Sequence, residues 1–346
     1  MVKFLKERKA VTISLCITLI MLLLVACGSN EEENLQETNA PSNMVTPGNS
    51  SETEESEEGA SDEPGKSGFR SFDTIKGAVD IPENPLRIVT DYYGGELLSV
   101  GANVIGVESS TFKNPFLKDL LVNIEDVGVP INVEKTLELE PDLIVVMYDD
   151  HYEELSKIAP TLHIPYGTTT NIYETVEFFG ELVGSPEIAQ AFIDDFNQVA
   201  AEGRDKLQGI IPEDATFGLY ELTDMGDLWI FGDNAGRGGQ AVYNGLQYSM
   251  PHQHTDGEQT LQLSMEVLPE YAADYMFLTA YDPENKGEAL EELQASMVWS
   301  GLDAIQNNTL FINDFDTFYR YDPIAIKGQI DLIVNMLIAR HEENKN

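Results

Sequence analysis

Apolar and polar positions fall into blocks whose length and period mark out elements. Residues 86–90, 104–107, 126–129, 142–147 and 161–165 are short runs dominated by Val, Ile and Leu. Runs of that length suit strands buried on both faces. Between them, residues 94–101, 116–121, 133–140, 152–158 and 173–183 have helical spacing. Strands alternating with helices predict an α/β lobe with a mainly parallel sheet. The pattern then changes. Pro186–Leu207 has no internal proline, and Ile188, Ala189, Phe192, Ile193, Phe196, Val199 and Ala200 recur at three- and four-residue steps. This is one amphipathic helix, with Pro186 at its first position and Ser185 as its expected N-cap. It would be about 33 Å long, enough to run along a small domain. Alternation resumes afterwards. Strands are expected at 215–222, 228–231, 275–279 and 309–312, and helices at 239–246, 265–272, 289–295 and 324–340. The plan is an N-terminal lobe (67–185), a connecting helix (186–207) and a C-terminal lobe (208–346). A ligand would belong in the cleft, on loops at strand ends.

The first 66 residues do not fit that plan. Lys3, Lys6, Arg8 and Lys9 precede an uncharged run over 10–26 that ends Leu24-Val25-Ala26-Cys27-Gly28. A basic start, an apolar stretch and small residues at a cut site make an export signal over 1–27. The ending looks like a bacterial lipobox, in which Cys27 is lipidated and begins the mature chain. Cys16 lies in the discarded part, and the body has no cysteine to form a disulfide. Residues 28–66 are Glu, Ser, Asn, Pro and Gly with almost no large apolar side chain. Such a segment cannot bury enough surface to fold and reads as an acidic, disordered tether. The body is expected on the outer face of the cell membrane, held by lipid.

Charge narrows the partners. The chain of 346 residues has a formal net charge of -40. The signal carries +3, residues 30–66 carry -10, and residues 67–346 carry -33. Phosphate backbones need clustered Lys and Arg, so nucleic acid is excluded as a partner. No G-x-S-x-G elbow or P-loop is present, so nothing in the motifs speaks for an enzyme. His252-Gln253-His254 is the only histidine pair, and two ligands do not make a zinc site. Asp282-x-Glu284-x-Lys286-Gly287 faintly echoes a calcium loop, but Lys286 and the missing acid at Leu293 remove it. No cofactor and no directly bound metal is expected.

The densest glycine stretch is Gly232-Asp233-Asn234-Ala235-Gly236-Arg237-Gly238-Gly239, just before a helix. Glycines permit close backbone approach, and a helix N-terminus favours anions. Arg237 is conspicuous in so acidic a body. It either pairs with an acid or turns its five donors on a ligand oxygen.

Here the residues resemble a known family. The lobe–helix–lobe plan, Asn132-Val133-Glu134 through Glu140-Pro141-Asp142-Leu143-Ile144, Phe231-Gly232-Asp233-Asn234, Gly236-Arg237-Gly238-Gly239, Ser264-Met265-Glu266-Val267-Leu268-Pro269-Glu270 and Tyr319-Arg320-Tyr321-Asp322-Pro323 are similar to siderophore-binding lipoproteins of Gram-positive iron ABC importers. The resemblance spans about 69–340. It implies an α/β, class III periplasmic-binding-protein-like fold: two lobes with mainly parallel sheets joined by one long helix. The Gly-Arg-Gly-Gly segment is similar to the iron-hydroxamate subgroup. The resemblance implies a non-enzymatic, monomeric receptor that takes a ferric siderophore to an ABC permease with a cytoplasmic ATPase. Carried over, Arg237 would reach hydroxamate oxygens, and Trp229 sits where the subgroup is aromatic. Ala235 falls where a Trp is often seen, which would widen the pocket. Tyr92, Tyr93, Tyr148 and Tyr319 would form aromatic walls for a bulky chelate. Glu134 and Glu266, one per lobe, would dock on arginines of the permease; both are also expected at helix N-termini, where a carboxylate suits the dipole. A triply anionic catecholate complex would want several cations, so a neutral or cationic hydroxamate fits better. Heme, with Met147 or His151 as axial ligand, and cobalamin are the alternatives for the same fold.

Overall fold

Alternating polar and apolar residues from Phe69 to Pro82 open the described part of the chain, and they form a hairpin absent from the expected elements. The computed structural model describes residues 68–251 and 258–345. The signal with Cys27, the tether and the His252-Gln253-His254 pair lie outside them. In the hairpin, β1 (Phe69–Thr74) pairs antiparallel with β2 (Gly77–Pro82). Its inward positions have specific tasks. Phe72 meets Phe178 edge-on at 5.8 Å between ring centroids. Arg70 Nη2 donates to the carbonyls of Glu181 and Leu182 at 2.6 and 2.8 Å. Those are last-turn acceptors of the helix Ile172–Val183; Glu181 O also accepts from the C-cap amide of Gly184 at 3.2 Å.

The first sheet contains β3 (Ile88–Thr90), β4 (Val104–Val107), β5 (Glu125–Asp126), β6 (Leu143–Val146) and β7 (Thr161–His163). Its order is β5-β4-β3-β6-β7 and every pair is parallel. All four residues of β6 are fully buried, as its unbroken Leu-Ile-Val-Val run requires. The second sheet contains β8 (Phe217–Leu222), β9 (Leu228–Phe231), β10 (Thr260–Leu263), β11 (Tyr275–Ala280) and β12 (Leu310–Asn313). Its order is β10-β9-β8-β11-β12. Here β8, β11 and β12 are parallel, while β9 and β10 run antiparallel on one edge. The five residues between β8 and β9 are too few for a parallel crossover, so the chain must return as a hairpin. Along β8, Phe217 and Leu219 face one core, whereas Tyr220 and Leu222 face a second core around Trp299.

The connecting helix spans Pro186–Leu207, as its period predicts. It buries Ala189, Ile193, Phe196, Ala200, Gly203 and Leu207. Ser185 does not cap it; its Oγ instead donates to the carbonyl of Val100 at 2.8 Å, tying the helix to the first lobe. The terminal helix, Pro323–Lys345, packs along the connecting helix and against the short helix Gly94–Ser99 of the first lobe. Lys327 Nζ meets Asp195 Oδ2 at 2.5 Å between these two long helices. Three expected helices are not α-helical. Residues 116–121 form turns. Residues 265–272 hold one 3₁₀ turn, Leu268–Glu270, where Pro269 removes an amide donor. The expected helix at 239–246 is a π-helical turn, Gln240–Gly245.

Candidate functional site

The strand ends of the first lobe, the Gly-rich loop and the segment before the terminal helix converge. Tyr92 and Tyr93 follow β3 and begin the helix Gly94–Ser99. Their amides are turned by Thr90 Oγ1, which accepts from Tyr92 N at 3.2 Å and Tyr93 N at 3.0 Å. Tyr92 is half-buried, and its hydroxyl is hydrogen-bonded to that of Tyr321 from the second lobe. This pair of phenols separates two hollows. One, of about 330 Å³, is lined by Tyr92, Tyr93, Glu96, Tyr166, Thr168, Phe179, Asn234, Gln240 and Tyr321 among others. The other, of about 200 Å³, is lined by Tyr92, Glu96, Glu108, Tyr148, Tyr319, Arg320 and Asp322 among others. Tyr148, half-exposed, also lines a third hollow with Asp91, Asp150 and His151. Tyr93 is buried and donates to the carbonyl of Ile164 at 2.6 Å.

Arg237 occupies the left-handed region, with φ +66°, inside the Gly-rich loop. That conformation is unusual for a long side chain and persists only when its surroundings impose it. The surroundings are visible. Nε donates to Glu221 Oε2 at 2.5 Å, and Nη2 is ion-paired with the same oxygen. The guanidinium lies 4.5 Å from the ring centroids of both Phe231 and Tyr319. Of the two options its sequence context left open, the acid pairing is therefore present, and Tyr319 is the aromatic that connects it to the cleft. No lining residue of the three cleft hollows is Arg237 itself. Gly239 closes the loop so tightly that a Cβ there would lie 2.4 Å from the carbonyl oxygen of Gly232.

Trp229, half-buried, is the register partner of Glu221 on β8 and Gln262 on β10. It shares the sheet face of Phe231 and stands beside this cluster without lining a cleft hollow. Ala235 is buried in the core and lines neither hollow; the neighbouring Asn234 faces the cavity instead.

Acids that sequence reasoning passed over stand at the floor. Glu96, from the first lobe, and Asp322, from the second, are both buried side by side. Burial, reinforced by the Asp322 charge, pushes the Glu96 carboxyl up to about 8. Burial also raises Asp322, although Asn114 Nδ2 donates to it at 2.7 Å and Ala325 N at 3.0 Å. Asp91 accepts from Met147 N at 2.8 Å and Tyr148 N at 3.2 Å, yet burial lifts it to about 7. Gln240 also crosses between lobes, its Oε1 accepting from Ile172 N at 2.6 Å. The signals for these residues were an acid inside an apolar helix (Gly-Gly-Glu-Leu-Leu), an acid in a buried strand (Glu221) and an Asp before Pro at a helix start.

Comparison with known proteins decides the family. A family model described as periplasmic binding protein matches residues 96–317. This chain belongs to that family. It is 53% identical over 285 residues to the iron(3+)-hydroxamate-binding protein YxeB of Bacillus subtilis, covering 81% of this chain and 88% of that protein. It is 31% identical over 299 residues to the iron(3+)-hydroxamate-binding protein FhuD of the same organism, covering 84% of this chain and 92% of that one. The structure of FhuD2 from Staphylococcus aureus with bound ferrioxamine B aligns with a TM-score of 0.65 at 26% identity, over 74% of this chain and all of that chain.

On this periplasmic binding protein, Glu134 and Glu266 are both exposed, one on each lobe. Glu134 lies in the first turn of the helix Val133–Glu138, capped by Asn132. Glu266 lies in a turn ahead of Leu268–Glu270, not at an α-helix N-terminus; a hydrogen bond from Ser264 holds its carboxyl below the usual range.

Proposed function

We propose that this protein is a receptor that binds a ferric hydroxamate siderophore between its lobes and delivers it to an ABC permease. The observation that carries the reading is the aromatic and phenolic cleft formed by Tyr92, Tyr148, Tyr166, Tyr319 and Tyr321 next to the Arg237–Glu221 pair, in a chain 53% identical to an iron-hydroxamate-binding protein. A bulky, mostly uncharged chelate suits walls that bury apolar area and offer hydroxyl donors at the edge. The iron stays inside its chelator, so the protein supplies shape and hydrogen bonds and breaks no bond.

In this reading Arg237 contributes in two ways. Its cation holds the Tyr319 ring by a cation–π contact. With Nε and Nη2 turned to Glu221, Nη1 is the donor left for a hydroxamate oxygen. Trp229 backs the loop that carries it. Glu134 and Glu266 dock on cations of the permease, one per lobe, and a cytoplasmic ATPase drives import. Cys27, lipidated, holds the chain at the outer membrane face through the 28–66 tether, and the receptor acts as a monomer.

Titration of intrinsic fluorescence with ferric hydroxamates tests the reading. Binding at micromolar or tighter affinity is expected, about 8 kcal/mol. Failure to bind any hydroxamate, with a Soret band appearing on addition of hemin, would replace it with the heme alternative.

A further inference from the structure

The larger hollow has a lining unlike that of an uncharged pocket. Tyr92, Tyr93, Tyr166, Tyr321 and Phe179 surround it; among the described residues Glu96 is its one carboxylic acid, and no Lys or Arg lines it. The rings form a connected box. Tyr92 and Tyr93 stand edge to face at 5.3 Å, Tyr93 and Phe179 are tilted to each other at 5.0 Å, and Tyr166 meets Tyr321 edge-on at 6.1 Å. Glu96 is only 6% exposed, and its carboxyl takes a hydrogen bond from its own amide. No base faces it. Its charged neighbour is Asp322, on the segment before the terminal helix. The phenols of Tyr92, Tyr93 and Tyr321 feel its charge from both lobes. Across the smaller hollow, Glu108 and Arg320 are the remaining charges, and Arg320 acts on Asp322 rather than on Glu96.

A buried acid with no cationic partner is costly to ionise. An aromatic box with a carboxylate at its floor is the environment that an alkylammonium group occupies favourably, because ring quadrupoles and the anion act together. We propose that the Glu96 box is a cation subsite that selects siderophores bearing a protonated amine. This rests on the receptor reading and names the charge class of its ligand. When an ammonium enters while Glu96 is protonated, the carboxyl gives its proton to solvent and forms an ion pair with the ligand. Selectivity for the cation therefore grows as pH rises toward 8, and binding releases a proton.

The full chain should be titrated with a linear ferric tris-hydroxamate carrying a terminal primary amine, and with the same chelate acetylated on that amine. At about pH 8.5 the amine-bearing chelate should bind about tenfold tighter, and the preference should shrink toward about pH 6. Glu96→Gln should equalise the two chelates. Retention of the preference in Glu96→Gln, or its absence in the wild type while both chelates bind, overturns the subsite and leaves the receptor intact. If neither chelate binds, the receptor reading fails and the subsite with it. Should the variant not fold, calorimetry of the wild type in two buffers of different ionisation enthalpy decides: proton release is expected with the amine-bearing chelate alone, and equal release with both overturns the proposal.

Discussion

Arg237 combines a backbone that few arginines adopt with a side chain fixed by Glu221, Phe231 and Tyr319. Removing it would leave the half-buried Glu221 without its cation and free the Tyr319 ring. Arg237→Ala should therefore weaken ferric hydroxamate binding by at least tenfold, about 1.4 kcal/mol or more, as read by fluorescence titration. Arg237→Lys should not restore it, because a point charge cannot face Glu221 and stack between two rings as a planar fork does. The prominence of Arg237 was legible in the sequence, as a lone cation among glycines. Its partner was not, because Glu221 lies 16 residues away on a strand whose pairing only the fold brings to the loop.

Two elements carry local tests. The helix Ile172–Val183 is capped by Asn171, whose Oδ1 accepts from Tyr173 N at 3.1 Å and Glu174 N at 3.0 Å. Asn171→Ala should cost about 1 kcal/mol of stability in a denaturant melt. The Gly-rich loop should be less tolerant. Gly239→Ala would drive a methyl against the Gly232 carbonyl, so about 1–3 kcal/mol should be lost, together with ligand affinity. Strand and helix identities were largely readable, because buried parallel strands are continuous apolar runs and the connecting helix keeps its period over six turns. The hairpin β1–β2 was not. Its Phe-Arg-Ser-Phe-Asp-Thr segment has little apolar content, and its worth lies in what Phe72 and Arg70 reach on a distant helix. The edge strand β10 was missed for the same reason: Thr-Leu-Gln-Leu is short and half-exposed.

For the whole molecule, the lobes are joined by the connecting helix and again by Tyr92–Tyr321, Asn114–Asp322, Gln240–Ile172 and the terminal helix. So many crossing ties leave room for small closure only. Solution scattering should show the radius of gyration changing by less than about 1 Å on ligand binding. The buried acids predict the pH dependence of stability. Asp91, Glu96 and Asp322 all titrate above their ordinary range because burial disfavours their charged forms. The folded state therefore binds more protons than the unfolded chain between about pH 4 and pH 8, so stability should fall as pH rises through that window. The melting temperature should be higher at about pH 5.5 than at about pH 8, and Glu96→Gln should narrow the difference. Reversing Glu134 and Glu266 to Arg should abolish uptake by cells while siderophore affinity is unchanged, since these exposed acids lie away from the cleft.

The sequence alone determined the order and type of the main elements, the two-lobe plan and the unusual place of Arg237. These rest on local periodicity, composition and motif spacing, which are properties of neighbouring residues. The tertiary structure decided which side chains meet: Glu221 under Arg237, Tyr92 against Tyr321, and Glu96 beside Asp322 at the floor of an aromatic box. Those partners are separated by 16 to more than 200 residues, and a buried acid carries no mark in the sequence of what it will face. Only folding two lobes against each other places two carboxyls out of water and leaves one of them open to a cation.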